Sequence, residues 1–186
     1  MGGVAGLVLA AGEGRRFGGP KAPHVVEGGR GHRDPERLVD RAVRVLAAAG
    51  CDPVLVVLGA WVGDVPGAQP VVNPDWPSGM GSSLRAGLAA LEVSDADRVV
   101  VTLVDLPGLT PAAVRRLVDS SARLAAAGYG GSRGHPVMLG REHWVGAAAL
   151  ADGDHGARDY LRAHADELVQ VEVGDVADGA DLDVRE

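Results

Sequence analysis

The chain has 186 residues, 46% hydrophobic and 23% charged, the composition of a soluble globular protein long enough for a real core. A net charge of −7 and an aromatic content of 3% argue against nucleic acid or an anionic membrane surface as partner, because neither a basic face nor stacking rings are supplied. Cys51 stands alone, which excludes a disulfide framework and a cysteine-rich metal site. No apolar stretch approaches the roughly 18 residues of a membrane span, and no secretory leader precedes the first apolar run. A cytoplasmic single domain over 1–186 is therefore expected, monomeric or weakly self-associating.

In chain order, Leu7–Val8–Leu9 reads as a short buried strand of a parallel sheet. Gly12, Gly14, Gly18 and Gly19 then form a loop whose main chain a ligand can approach closely. Arg37 to Ala49 carries Leu38, Ala42, Val45, Leu46 and Ala49 on one helical face, with Gly50 as the stop. Val54 to Gly59 is the next strand and completes a βαβ unit with a right-handed crossover. Asn73 to Gly79 is a loop by its turn residues, and Gly81 to Leu91 is a helix with Ser82 and Ser83 in its first turn.

Arg98 to Val104 is the strongest strand signal and ends on Asp105. Thr110 is the expected N-cap and Pro111 the first residue of a helix running to about Ala127. Gly128 to Gly140 is glycine-rich around an apolar Val137–Met138–Leu139, Gly156 to Leu168 reads as helix, and Val169 to Val173 as a last strand. The alternation predicts an open α/β sheet with ligands at the carboxyl ends of its strands.

The first loop carries the clearest chemistry. Of 18 Lys+Arg residues, Lys21 is the single lysine, and it closes the glycine loop that also holds Arg15 and Arg16. A compact ammonium suits a phosphate oxygen in a tight site, where a guanidinium is a broad planar fork. Residues 1–50 hold eight Lys/Arg against five acids, a net of +3, which leaves −10 for the remainder. That asymmetry suits an anionic ligand held together with a divalent cation. Two familiar loops fail on spacing. Gly12, Gly14 and Gly18 give G-x-G-x-x-x-G, not the dinucleotide G-x-G-x-x-G, which disfavours a nicotinamide-dependent oxidoreductase. Pro20 and Ala22 around Lys21 break the Walker pattern G-x-x-x-x-G-K-S/T.

Leu9–Ala10–Ala11–Gly12, followed by Arg15 or Arg16, Gly18 and Lys21, resembles the opening motif of the molybdopterin-type (MobA-like) nucleotidyltransferases. Asn73–Pro74–Asp75–Trp76 with Gly79 to Leu84, Val104 to Pro107, Gly134 to Val137, and Gly153 to Arg158 extend the likeness along almost the whole chain. They are most similar to the molybdenum cofactor cytidylyltransferases. The resemblance implies a three-layer α/β/α Rossmann-like nucleotidyltransferase fold with a mostly parallel sheet. It implies Mg²⁺ and a nucleoside triphosphate as ligands, and a phosphorylated acceptor, molybdopterin being the best candidate. Arg15, Lys21 and Asp105 are the implied catalytic residues. Leu9, Ala10, Ala11, Gly12, Gly14, Arg16, Gly18, Lys21, Gly79, Met80, Gly81 and Ser82 would hold the nucleotide. Ser83, Arg133, His135, Pro136, Asp154, His155 and Arg158 would hold the acceptor.

Asp105 is the implied metal ligand, joined by Asp181 and Asp183 from a D-L-D stretch, although Val184 stands where the family has threonine. Such chemistry is mostly positioning and charge neutralisation around the α-phosphate. The Ala-Ala form of the opening motif favours cytidine. Guanylyl transfer or another phosphate acceptor is the alternative within the same chemistry. The segment Ala22 to Leu38 is longer and more charged than in the family, with Pro23 and His24 in place of leucines. A non-catalytic nucleotide-binding domain is the alternative outside that chemistry.

Overall fold

The computed structural model describes residues 2–27 and 34–183. The elements run β1 (Gly3–Leu9), β2 (Val25–Val26), β3 (Glu36–Arg37), α1 (Leu38–Ala48), β4 (Val54–Leu58), β5 (Gln69–Val72), α2 (Met80–Leu91) and β6 (Ala96–Leu103). They continue with α3 (Pro111–Asp119), β7 (Leu124–Tyr129), β8 (Ser132–Gly140), α4 (Arg141–Leu150), α5 (Arg158–Ala163) and β9 (Val169–Glu172). Seven strands form one sheet in the order β5-β4-β1-β6-β8-β7-β9, and β2 pairs β3 in a separate ribbon. The sheet is parallel except at β8, which runs antiparallel to both β6 and β7.

Strand alternation sends side chains to two cores, one on each face of the sheet. Val8, Val56 and Val100 join Leu38, Leu46, Val114 and Leu117 from α1 and α3. Leu7, Leu55 and Val101 join Leu84, Leu88, Trp144 and Tyr160 from α2, α4 and α5. Both faces are covered, so β1, β4 and β6 read as apolar runs without a polar face. The three-layer α/β/α architecture is the one the family resemblance implies. Among the described residues, no helix is long and apolar enough to cross a membrane. Leu46 is fully buried between α1 and the sheet. Leu46→Ala is expected to lower the unfolding free energy by about 3 kcal/mol, shifting the thermal midpoint down about 6–12 °C, as read by circular dichroism.

Several boundaries differ from the sequence reading. The predicted cap is present, with the Thr110 hydroxyl accepting from the Ala113 amide and Pro111 opening the helix. That helix stops at Asp119 and does not run to Ala127. Leu124–Tyr129, with three alanines that read as helix locally, forms β7 because β8 and β9 flank it and pair with its main chain on both sides. Helix α4 and strand β5 had no distinct periodic signal. The helix expected over Gly156 to Leu168 is confined to Arg158–Ala163. The charged segment before α1 is partly described. Glu36 pairs with Arg41 and Arg44, and the Arg37 guanidinium stacks over Trp61 at 5.7 Å. Residues 28–33, with Arg30 and Arg33, and Val184 at the family departure lie outside the described residues.

Candidate active site

The site follows from the pairing of β1 with β6. They are parallel and in register, Leu9 opposite Leu103, so the loop after β1 and the turn after β6 emerge side by side. The Val104 amide donates to the Leu9 carbonyl at 3.2 Å and holds the two exits together. Beyond β1, the Ala10 amide is fixed to Val57 and the Ala60 amide to Ala11. The chain then closes on itself at Gly14, whose carbonyl accepts from the amides of Gly18 (2.8 Å) and Gly19 (3.1 Å). Gly14 sits at φ +62°, and a Cβ there would lie 2.1 Å from the Gly19 carbonyl oxygen, so only glycine closes this loop.

A cleft of about 340 Å³ opens between this loop and the N-terminus of α2. Leu9, Ala11, Gly12, Gly14, Arg15, Lys21 and Asp105 line it together with Gly79, Met80, Ser83 and Asp154. Residues of the first loop, the β6 exit, the start of α2 and the turn at Asp154 thus converge on one space. The short 3₁₀ turn Trp76–Ser78 and Gly79 form the wall opposite the loop. Gly79 has φ +110°, and a Cβ there would meet the Gly153 carbonyl carbon at 2.4 Å, which packs the turn carrying Asp154 against the start of α2.

The charges are arranged around the β6 exit. Lys21 Nζ donates to Asp105 Oδ2 at 2.7 Å, with the two side chains only 15% and 19% exposed. The Leu182 amide donates to the Asp105 carbonyl at 2.9 Å and ties the 181–183 stretch beside this pair. Asp183 reaches Lys21 Nζ and Arg16 Nη1, each at 3.8 Å. The Asp181 carboxyl is pushed above the usual range by burial first, then by Asp105 and Asp183, with Lys21 and Arg16 pulling the other way.

Two observations bear on a divalent cation. Asp105 Oδ1 is enclosed and has no hydrogen-bond partner, and Asp181 and Asp183 bring two further carboxylates into its neighbourhood. Among the described residues, no three His, Cys, Asp or Glu side chains close into a ready cage. Magnesium does not need one, since it takes one or two carboxylates and completes its shell with water and phosphate oxygens. The residues fit such a cation.

The remaining predicted residues fall elsewhere. Ala10 lies in the core behind the loop, and Gly81 is packed against the Ala151 and Asp152 main chain. The Ser82 hydroxyl is buried, within 2.9 Å of the Asp75 carbonyl and 2.8 Å of the Gly79 carbonyl, and accepts from Asn73. It therefore braces the loop that Ser83, one residue on, presents to the cleft. Arg16 and Gly18 are exposed and do not line the cleft.

The acceptor set is not gathered in one place. Ser83 and Asp154 face the cleft, whereas Arg133 lines a second cavity of about 830 Å³ with Arg41, Tyr129 and residues 174–180. Pro136 is buried, and His135 Nδ1 is enclosed without a partner. Burial pushes the His135 pKa down, and Arg158 adds to this, while Val101 and Asp105 oppose it. His155 is exposed and 3.3 Å from the Asp159 carboxylate; it and Arg158 line neither cavity. Trp76, Pro77 and Glu13 line the cleft but were given no role from sequence. Trp76 had a signal, being an aromatic residue within the quoted Asn73–Gly79 stretch in a chain with only three tryptophans.

A glycine-and-cation loop after the first strand, facing a carboxylate at the carboxyl end of a parallel neighbour, defines a nucleotidyltransferase-like α/β fold. Residues 6–168 match the MobA-like NTP transferase domain, and the chain belongs to that family, whose chemistry is nucleotidyl transfer. It is 36% identical over 199 aligned residues to a protein of Paenarthrobacter nicotinovorans named nicotine blue oxidoreductase, covering 98% of this chain and 93% of that one. It is 32% identical to a probable molybdenum cofactor guanylyltransferase of Mycobacterium ulcerans, over 80% of this chain and 69% of the relative. A Mycobacterium tuberculosis protein crystallised in complex with manganese superposes with a TM-score of 0.72 at 26% identity, covering all of this chain and 94% of its own.

Proposed function

We propose that this protein transfers a nucleoside monophosphate from a magnesium-bound nucleoside triphosphate to a phosphorylated small molecule, with release of pyrophosphate. The observation that carries this reading is the Lys21–Asp105 pair at the cleft, where the glycine loop meets the end of β6. An ionised phosphate oxygen of the acceptor attacks the α-phosphorus, and the bond from that phosphorus to the β-phosphate bridging oxygen breaks as pyrophosphate leaves. An attacking oxygen that is already ionised needs no general base. The protein's work is to hold the two phosphates in line and to neutralise them.

Lys21 and Arg15 face the cleft from the glycine loop and would neutralise the triphosphate, with the main chain of Gly12 to Gly14 wrapped around it. Asp105, with Asp181 and Asp183 beside it, would hold Mg²⁺, which when bound draws charge from the reacting phosphoryl group. Trp76 and Met80, beside Leu9 and Ala11, supply the apolar wall against which the base would rest. Ser83 and Asp154, across the cleft, would meet the acceptor.

Ala10–Ala11 favours cytidine as the base, while the names of the relatives favour guanosine. Molybdopterin remains the best candidate acceptor, supported by the naming of the same relatives. The four nucleoside triphosphates, each offered with Mg²⁺ and molybdopterin, separate these choices. Pyrophosphate release with CTP or GTP above the other nucleotides is the expected result. Release with none of the four, in the presence of a competent acceptor preparation, would overturn the reading.

A second reading rests on the full-length similarity to the oxidoreductase. Among the described residues no cysteine faces the cleft, and the Cys51 thiol is buried, with its pKa pushed up to about 12. Electrons for such a reaction would have to come from a diffusible hydride donor. Oxidation of NADH or NADPH by the protein with a conjugated quinonoid dye would favour this reading, and pyrophosphate release without such oxidation would exclude it.

A further inference from the structure

We infer that Lys21 occupies the cation position on Asp105 until a triphosphate draws it away, so that metal and nucleotide are coupled through one lysine. This rests on the nucleotidyl-transfer reading for its ligand, though not for its test. The geometry is specific. Lys21 Nζ sits 2.7 Å from Asp105 Oδ2 and 3.8 Å from Asp183 Oδ1, among the carboxylates that would ligate a divalent ion. A monocation and a dication cannot share one carboxylate oxygen at that distance without strong repulsion.

The other oxygen gives no easy way round. Asp105 Oδ1 has no hydrogen-bond partner, but it belongs to the same carboxylate, so a metal bound there would still stand within a few ångströms of the ammonium on Oδ2. The pair is largely shielded from water, at 15% and 19% exposure, so pulling it apart without a replacement partner for each charge is costly. A polyphosphate in the cleft supplies the replacement for the lysine, and the metal it carries supplies the replacement for the aspartate. The lysine stem is long and freely rotating, which lets Nζ swing between the two without moving the main chain. Arg16 does not take this part, since its guanidinium is exposed and 3.8 Å from Asp183 only.

The consequence is reciprocal. Whatever factor Lys21 subtracts from metal affinity in the nucleotide-free protein returns as cooperativity when both ligands bind. It also discriminates against a bare metal ion, which would otherwise fill an acidic site before the nucleotide arrived.

The test uses Mn²⁺ alone, without nucleotide or turnover, followed by electron paramagnetic resonance of free against bound metal. Lys21→Met is expected to bind Mn²⁺ at least about tenfold more tightly than the unaltered protein. Arg16→Met, which removes the same charge from the neighbourhood but not from Asp105, is expected to change it less than about threefold. Lys21→Arg, which keeps a cation on Asp105, is expected to stay near the unaltered value. Adding Asp105→Asn to Lys21→Met should remove the gain. Equal effects of the two methionine variants, or a Lys21→Met protein that binds Mn²⁺ no better than the original, would overturn the inference. Circular dichroism checks that each variant is folded, and Lys21→Gln replaces Lys21→Met if the latter is not. Pyrophosphate release by the unaltered protein is scored separately, so failure of the transfer reading leaves this measurement standing.

Discussion

Asp105→Asn is expected to cut nucleotidyl transfer at least about 100-fold while leaving the protein folded. Asparagine matches the aspartate in shape and keeps one carbonyl oxygen, so packing at the end of β6 is preserved. The main-chain link from the Leu182 amide to the residue 105 carbonyl does not involve the side chain and persists. What disappears is the negative charge that faces Lys21 and would anchor the metal. Among the described carboxylates Lys21 then keeps the 3.8 Å approach to Asp183, whose side chain is about half exposed to solvent and therefore a weak substitute. Pyrophosphate release measured alongside the thermal midpoint separates lost chemistry from lost fold. Turnover within a few-fold of the original would remove Asp105 from the reaction.

Gly79→Ala is expected to damage both stability and activity, by about 3 kcal/mol in unfolding free energy and about 10 °C in thermal midpoint. The cause is double. At φ +110° an L side chain is strained, and its Cβ would lie 2.4 Å from both the carbonyl carbon and oxygen of Gly153. Neither neighbour is a flexible side chain that can swing aside, so the 153–155 turn must move. That turn carries Asp154 into the cleft, and Gly79 itself opens α2. Chemical denaturation and steady-state assays on the same preparation report the two losses together. A variant as stable as the original would show that the approach of the two main chains is relieved without cost.

Local chemistry made some of the site legible. The loop after β1 declares itself through glycines beside the single lysine, because positive φ and a cluster of cations are properties of a few adjacent residues. Asp105 is legible as the residue ending the strongest strand signal, and Thr110–Pro111 as a helix start, because capping is settled within one turn. The open α/β sheet is legible from apolar strands alternating with amphipathic helices.

Other features had no local signature. Leu124–Tyr129 is a strand only because β8 and β9 supply partners on both edges, which outweighs the helical preference of its alanines. The predicted acceptor residues lie close in sequence around 133–136 and 153–158. Even so, β8 and the turn before α5 deliver Arg133 and Asp154 to different cavities.

Amino-acid order by itself determined the elements whose cause is short-range: the loop conformation, the caps, the apolar faces and the charge available to a polyphosphate. Tertiary structure alone decided that Lys21 meets Asp105, 84 residues away, and that Trp76 faces the same cleft. Those contacts arise from the pairing of β1 with β6 and the seating of α2 on the sheet, which are set by burial of the whole core rather than by any neighbouring residue.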